Sequence, residues 1–333
     1  MLEKFVSIFT TENTFESDLR EILKWQWSQN PVYRRFSENM GYDAASLTGM
    51  RAAEVPLLPV EAFRDTRLYA AGDHPPELYF QSSGTTGMVR SRHEVAYENV
   101  YRQAIMQGIQ QFYPIENMVV LGYTPGYNDN PDSSLIWMIN ELIRHDTTGL
   151  SAFLPVGQPI TAGLLAAIED TEKSVLLFGA AFGLVDLAER HPVLLPQGSI
   201  IMETGGMKTF RREMSRTAMH QILADGFGIP LDAVHSEYGM TELLSQCYAQ
   251  GDSWFVSPPW VQVSIRNPYN PLETLPYGEQ GLIGIIDLAN WASCPFLLTG
   301  DRGVQRADGA FQVLGRWSKY HLRGCNFLLE DEL

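Results

Sequence analysis

Residues 78–90 read Leu-Tyr-Phe-Gln-Ser-Ser-Gly-Thr-Thr-Gly-Met-Val-Arg. The apolar run 78–80 suits a strand, and the hydroxyl- and glycine-rich stretch from Ser82 to Arg90 suits a turn. The spacing beyond it predicts a helix over about 94–112, with Val100, Ala104, Ile105, Ile109 and Phe112 on its apolar face. Strand, polar turn and helix in that order are one repeat of an α/β pattern.

The pattern continues downstream. Strands are expected at 118–123, 150–154, 174–178 and 199–204, with helices at 134–145, 161–170, 182–190 and from Arg211 to Ala224; 233–239 ends the series. Strands that read as near-continuous apolar runs between helices define an α/β fold, its mostly parallel sheet covered by helices. After about residue 250 the period changes. The stretches 260–268 and 281–290 alternate or run β-branched, and 304–316 reads as a hairpin turning at Asp308-Gly309. Upstream, 16–28 carries Leu19, Ile22 and Leu23 at helical spacing, capped by Thr14 or Ser17. Residues 31–77 read as extended segments and short helices at the domain edge. The expected organisation is an α/β core over 1–248, a small β-barrel-like subdomain over 249–315, and a hinge and tail over 316–333.

The net charge of −15 argues against nucleic acid as a partner, since a polyanion would be repelled. No run approaches the roughly 18 apolar residues of a membrane helix, and the N-terminus lacks a signal-peptide core, so a cytoplasmic protein is expected. Cys247, Cys294 and Cys325 are far apart and form no CxxC pair, which leaves reduced, buried thiols as the default. A small anionic ligand would need backbone N–H groups, a few placed cations and a metal to hold it on so acidic a protein.

Ser82-Ser83-Gly84-Thr85-Thr86-Gly87 fits that need. Its glycines permit a tight turn, four hydroxyls and exposed N–H groups can ring a phosphate, and a following helix N-terminus would favour an anion. It is not the common P-loop, which needs Gly-Lys-Ser/Thr, nor a nucleophile elbow, which needs Gly-x-Ser-x-Gly. The segments 122–125 and 178–182 follow two strands, where ligands sit in open α/β sheets; for Phe178 and Phe182 core packing is the favoured reading.

Three further motifs follow in order: Tyr238-Gly239-Met240-Thr241-Glu242, Thr299-Gly300-Asp301, and Gly315-Arg316 with Arg323-Gly324. Together with the Ser/Thr/Gly turn they resemble the signatures of the adenylate-forming superfamily, which includes acyl-CoA synthetases, phenylacetate–CoA ligases and luciferases. Within it the chain most resembles the acyl-protein synthetases of bioluminescence fatty-acid reductase complexes. That likeness rests on 55–63, on Glu203-Thr204-Gly205-Gly206-Met207-Lys208 and on Arg323-Gly324-Cys325-Asn326.

The resemblance implies ATP-dependent activation of a carboxylic acid to an acyl-adenylate, with ATP or AMP and Mg²⁺ at the site. Ser82, Ser83, Gly84, Thr85, Thr86 and Gly87 would hold phosphate, with Thr85 at the pyrophosphate end. Arg90 stands where relatives carry lysine, a fork in place of a point charge. Gly205 and Gly206 would let the backbone approach the base, and Tyr238, next to Gly239, would stack on it. Thr241 would face the α-phosphate and Glu242 would ligate Mg²⁺. Asp301 would accept from the ribose hydroxyls, with Arg316 beside it.

Relatives continue into a mobile domain of roughly a hundred residues that supplies a lysine; this chain ends at Leu333. Its hinge region is also unusual, with Trp317-Ser318-Lys319-Tyr320 where relatives carry an Asp-Asp pair. Either activity is slow, or a partner completes the site, or an internal group such as Lys208 or Lys319 substitutes for the lysine; an acyl-acceptor protein is a further expected partner. Acyl-protein synthetases pass the acyl group to a cysteine near their own C-terminus, a position that Cys325 resembles. The alternative is a catalytically weak nucleotide or acyl-adenylate binding module that needs a partner to complete the cycle.

Overall fold

The computed structural model describes residues 5, 7–9, 15–82, 90–126, 130–205 and 214–317. The chain divides into two compact units. One draws on the described residues within Met1–Ala104, Thr241–Ser245 and Val256–Leu333, the other on Ile105–Met240 and Gln246–Phe255.

The first unit begins with helix α1 (Phe15–Gln29), which buries Leu19, Ile22, Leu23 and Gln26. The Gln26 amide donates to the carbonyls of Trp291 and Ser293, at 2.7 and 3.1 Å. Asn30 then caps α2 (Pro31–Asn39): its side chain accepts from Tyr33 N at 3.1 Å, and Pro31 starts the helix. The proline-rich stretch that follows contains β1 (Leu58–Pro59), two residues too short to show a period. Strands β2 (Leu78–Gln81) and β3 (Arg92–Val95) pair antiparallel, Gln81 opposite Arg92.

This last pair corrects the expected order around the Ser/Thr/Gly motif. The helix expected from 94 begins at Glu98 and ends at Gln110, because 92–95 are strand. The motif thus lies in the connection of a hairpin and is followed by a strand, so the helix N-terminus invoked for it above does not adjoin it. Strand β3 was illegible because its buried residues include His93 and Glu94, which a hydropathy pattern scores as surface. Glu94 is held by Arg67 at 2.6 Å and Arg92 at 3.3 Å.

The second unit holds the α/β series. Its six strands are β4 (Met118–Tyr123), β5 (Ala152–Phe153), β6 (Ser174–Ala180), β7 (Ile200–Thr204), β8 (Val234–Tyr238) and β9 (Cys247–Ala249). The sheet order is β5-β4-β6-β7-β8-β9, parallel except for β9. Every residue of β4 is buried, as a sheet covered on both faces requires. Val119, Leu121, Val175, Leu177, Ile201 and Val234 share one core with Leu184, Leu187, Leu223 and Phe227 from the covering helices. Each such side chain contributes roughly 1.5–3 kcal/mol by leaving water. Ser133, Thr161 and Ser215 cap three of those helices.

The chain then returns to the first unit as β10 (Val261–Asn267), β11 (Asn270–Thr274), β12 (Gln280–Asp287), β13 (Phe296–Gln305) and β14 (Phe311–Arg316). These form a sheet in the order β1-β13-β12-β10-β11. β12 runs along one edge of β13, from Phe296 to Val304. Its other edge is shared: β1 pairs with Leu297 and Leu298, β14 with Asp301 to Gln305. The β13–β14 hairpin turns at Gly309, whose φ of +90° suits glycine. Among the described residues no helix is long and apolar enough to cross a membrane.

Candidate functional site

Glu242 in the first unit is 8% exposed, and burial pushes its carboxyl above the usual carboxylate range. A hydrogen bond from the Ser91 side chain and the charge of Arg316 oppose that rise, while Glu61 adds to it. Arg316 also pairs with Asp301, Nε to Oδ1 at 2.9 Å, across the β13–β14 register. Asp301 is buried and its N–H donates to Thr299 Oγ1 at 3.2 Å, within β13 where its pairing register shifts. The Arg316 side chain is 51% exposed, so a charged ligand can reach it. A side chain at position 300 would come within 3.2 Å of Arg316 Nη1, which accounts for Gly300 in the motif. The structure therefore brings Glu242, Asp301 and Arg316 into one electrostatic neighbourhood.

The loop that carries Glu242 is held by side chains from distant parts of the sequence. His93 Nδ1 lies 2.8 Å from Thr241 O, and His93 Nε2 lies 3.0 Å from Asn290 Oδ1. The Asn290 amide donates to Glu242 O at 2.8 Å and to Cys294 O at 3.1 Å. At the other end, Asp287 accepts from the N–H groups of Leu244 and Ser245, at 2.9 and 3.0 Å. It accepts from Ser245 Oγ as well, at 2.7 Å. Burial pushes the Asp287 carboxyl up to about 6 against these donors, and pushes the His93 imidazole down to about 4.

At the Ser/Thr/Gly motif, Ser82 and Ser91 close the hairpin. Ser82 N donates to Ser91 O at 3.1 Å, and Ser91 N to Ser82 Oγ at 3.0 Å. Arg90 is exposed. Ser83, Gly84, Thr85, Thr86 and Gly87 lie outside the described residues, as do Gly206, Lys208, Lys319 and Cys325. Cys247 and Cys294 are buried thiols outside any disulfide, and burial pushes that of Cys294 up to about 12.

The second unit carries the remaining candidates. Gly205 follows β7 with a φ of +82°, and Tyr238 ends β8, its ring 5.8 Å from that of Phe255. The ends of β7 and β8 carry two buried carboxylates, Glu203 and Glu237. Ser236 Oγ donates to Glu203 Oε1 at 2.5 Å, with His220 and Arg216 at 3.6 and 3.8 Å. Thr204 Oγ1 donates to Glu237 Oε2. Burial, with the charge of Glu203 adding to it, pushes the Glu237 carboxyl up to about 7. A side chain at position 239 would come within 2.4 Å of Glu237 Oε1, so Gly239 leaves room for that carboxyl. At 122–125 and 178–182, Phe178 is fully buried core, and Gly183 makes room for Pro125.

His93, Asn290, Asp287 and Glu237 were not singled out in the sequence, and Glu203 entered only within the 203–208 stretch, with no role of its own. The signal available was a polar residue inside an apolar run, as with Asp287 and Asn290 in 281–298. Such residues must find partners when buried.

Solved structures share this architecture. A 2-hydroxyisobutyryl-CoA ligase in complex with 2-HIB-AMP and CoA, in its thioesterification state, superposes with a TM-score of 0.64 at 15% identity. The match covers 92% of this chain and 68% of that one. The O-succinylbenzoate CoA synthetase of Bacillus subtilis in complex with AMP gives a TM-score of 0.50 at 16% identity, over 83% and 54% of the two chains. The fold is thus that of the adenylate-forming CoA ligases. The sequence narrows this further: the family described as "Acyl-protein synthetase, LuxE" matches residues 165–333, and the chain belongs to it. The long-chain-fatty-acid–luciferin-component ligase of Vibrio harveyi is 21% identical over 323 residues, 91% of this chain and 83% of that protein. Its counterpart from Aliivibrio fischeri is 22% identical over 302 residues, 86% and 78% of the two chains.

Proposed function

We propose that this chain activates a fatty acid with ATP and passes the acyl group to a thiol or protein acceptor. The observation that carries the reading is the grouping of buried Glu242 with the Asp301–Arg316 pair, in a chain of the acyl-protein synthetase family. A carboxylate oxygen attacks the α-phosphorus of ATP, the α–β P–O bond breaks, and pyrophosphate leaves. Two anions must meet, so aimed donors and positive charge lower the barrier. Arg316 and the exposed Arg90 supply that charge, Asp301 accepts from the ribose, and the 82–87 turn takes the phosphates. The family resemblance would give Gly205, Gly206 and Tyr238 the contacts to the base.

Glu242 is also suited to Mg²⁺. Its buried carboxylate is only partly compensated by Ser91 and Arg316. Among the described residues no group of three or more His, Cys, Asp or Glu could hold a metal ion by itself, so nucleotide phosphates would complete the coordination, as is usual for this ion. Bound there, Mg²⁺ would neutralise phosphate charge. In the second step the Cys325 thiolate attacks the acyl carbonyl of the mixed anhydride, forming a thioester and releasing AMP. The cytoplasm, with its ATP and reduced thiols, is the compartment for this chemistry.

Carboxylate-dependent exchange of labelled pyrophosphate into ATP tests the first step. A panel of acids of increasing chain length should give exchange that rises toward long chains. Binding of AMP without exchange for any acid would instead mark the chain as a binding module.

A further inference from the structure

We propose that His93 and Asn290 are positioning residues that set the direction of the Glu242 carboxylate. The inference rests on the adenylate-forming reading of the site and adds two residues that belong to none of its motifs.

Glu242 is fixed at two places. Its carboxylate takes a hydrogen bond from Ser91, and its backbone carbonyl takes one from Asn290. The preceding carbonyl, of Thr241, faces His93. Holding two successive carbonyls restricts the dihedrals between them and so the direction of the Glu242 side chain. Ser91 and His93 are two positions apart at the start of β3, so extended chain directs both to one face. Ser91 and His93 thus hold Glu242 by its side chain and its loop by the backbone. Asn290, 1% exposed, closes the circuit from the 3-10 turn Leu288–Asn290 that follows β12, bonded both to His93 and to Glu242 O.

Hydrogen counting sharpens the roles. The Asn290 NH₂ faces two carbonyls, so its Oδ1 is turned to His93. Thr241 O is also an acceptor, so both ring nitrogens of His93 face acceptors. Burial keeps the ring neutral at physiological pH, with one hydrogen for the two. We assign it to Nδ1, which makes the shorter contact, 2.8 Å to Thr241 O. An asparagine at 93 places its amide near the Nδ1 position and can replace this bond; a glutamine reaches the Nε2 position and cannot.

The test is nucleotide binding by calorimetry, with no turnover. The full chain is titrated with AMP in the absence of metal, and with a non-hydrolysable ATP analogue with and without Mg²⁺. Partners that orient a metal ligand typically change metal affinity by about 10–100-fold. Asn290→Ala and His93→Gln should each lose about tenfold of the tightening that Mg²⁺ gives the analogue. AMP affinity should stay within about twofold, and His93→Asn should recover most of the loss. A purely structural role would lower the melting temperature and weaken both nucleotides together. Such parallel loss, or full Mg²⁺ tightening in the variants, would overturn the proposal. If Asn290→Ala does not fold, the His93→Asn and His93→Gln pair decides, equal behaviour of the two counting against the idea. A wild-type protein that binds neither nucleotide would instead refute the function on which this rests.

Discussion

Glu237→Gln keeps the shape of a side chain that is 7% exposed and removes only its ability to ionise. Burial, with Glu203 adding to it, raises this carboxyl from 4.5 to about 7, although Thr204 donates to it. A folded-state value above the unfolded one means that Glu237 contributes stability fully below pH 4.5. That contribution is lost as the pH rises through about 7. The gap, at about 1.4 kcal/mol per pH unit, amounts to roughly 3 kcal/mol. Glutamine does not titrate. The stability of the variant relative to the wild type should therefore improve by roughly 3 kcal/mol between about pH 4.5 and about pH 8.5. Peptide-resolved hydrogen exchange over Ile200–Thr204 and Val234–Tyr238, comparing the two proteins at each pH, reads the unit concerned. A difference that stays constant across that range, or moves against the variant as pH rises, would refute the reasoning.

Asp301→Asn breaks the ion pair with Arg316 and weakens the ribose acceptor, so AMP should bind about tenfold more weakly and its thermal stabilisation should shrink. Tyr238→Ala should reduce the same shift by removing the stacking surface; unchanged shifts in both variants would remove the nucleotide assignment. Glu242→Gln should lower pyrophosphate exchange by about two orders of magnitude while AMP binding survives, and equal losses in both would mark Glu242 as structural. Cys325→Ser should abolish a hydroxylamine-labile acyl label yet spare acyl-AMP formation. Mass spectrometry that finds the label on Cys247 or Cys294, or no labelled cysteine despite acyl-AMP, would exclude Cys325 as acceptor.

The parallel series was legible because apolar runs such as 118–123 and 174–178 can be little else between amphipathic helices. Helix Ser134–His145 falls where its periodicity predicts. Strand β3 was hidden because His93 and Glu94 are buried through hydrogen bonds and ion pairs, which leave no trace in hydropathy. β1 was hidden because two residues have no period, and only a partner far along the chain makes them a strand. The site divides in the same way. Asp301, Arg316 and Glu242 stand in short motifs that can be read in order. His93 and Asn290 act on Glu242 through backbone carbonyls, which no residue pattern near position 242 records.

The shared edge of β13 orders events during synthesis. Leu58 must wait for Leu297 before it has a partner, a delay on the order of tens of seconds at ribosomal speed. Residues 105–240 meanwhile hold five of the six strands of their own sheet and can condense as they emerge. The unit that contains the proposed catalytic carboxylate is therefore the last to complete. Until then Gln26 of the first helix lacks the Trp291 and Ser293 carbonyls that it bonds in the finished unit.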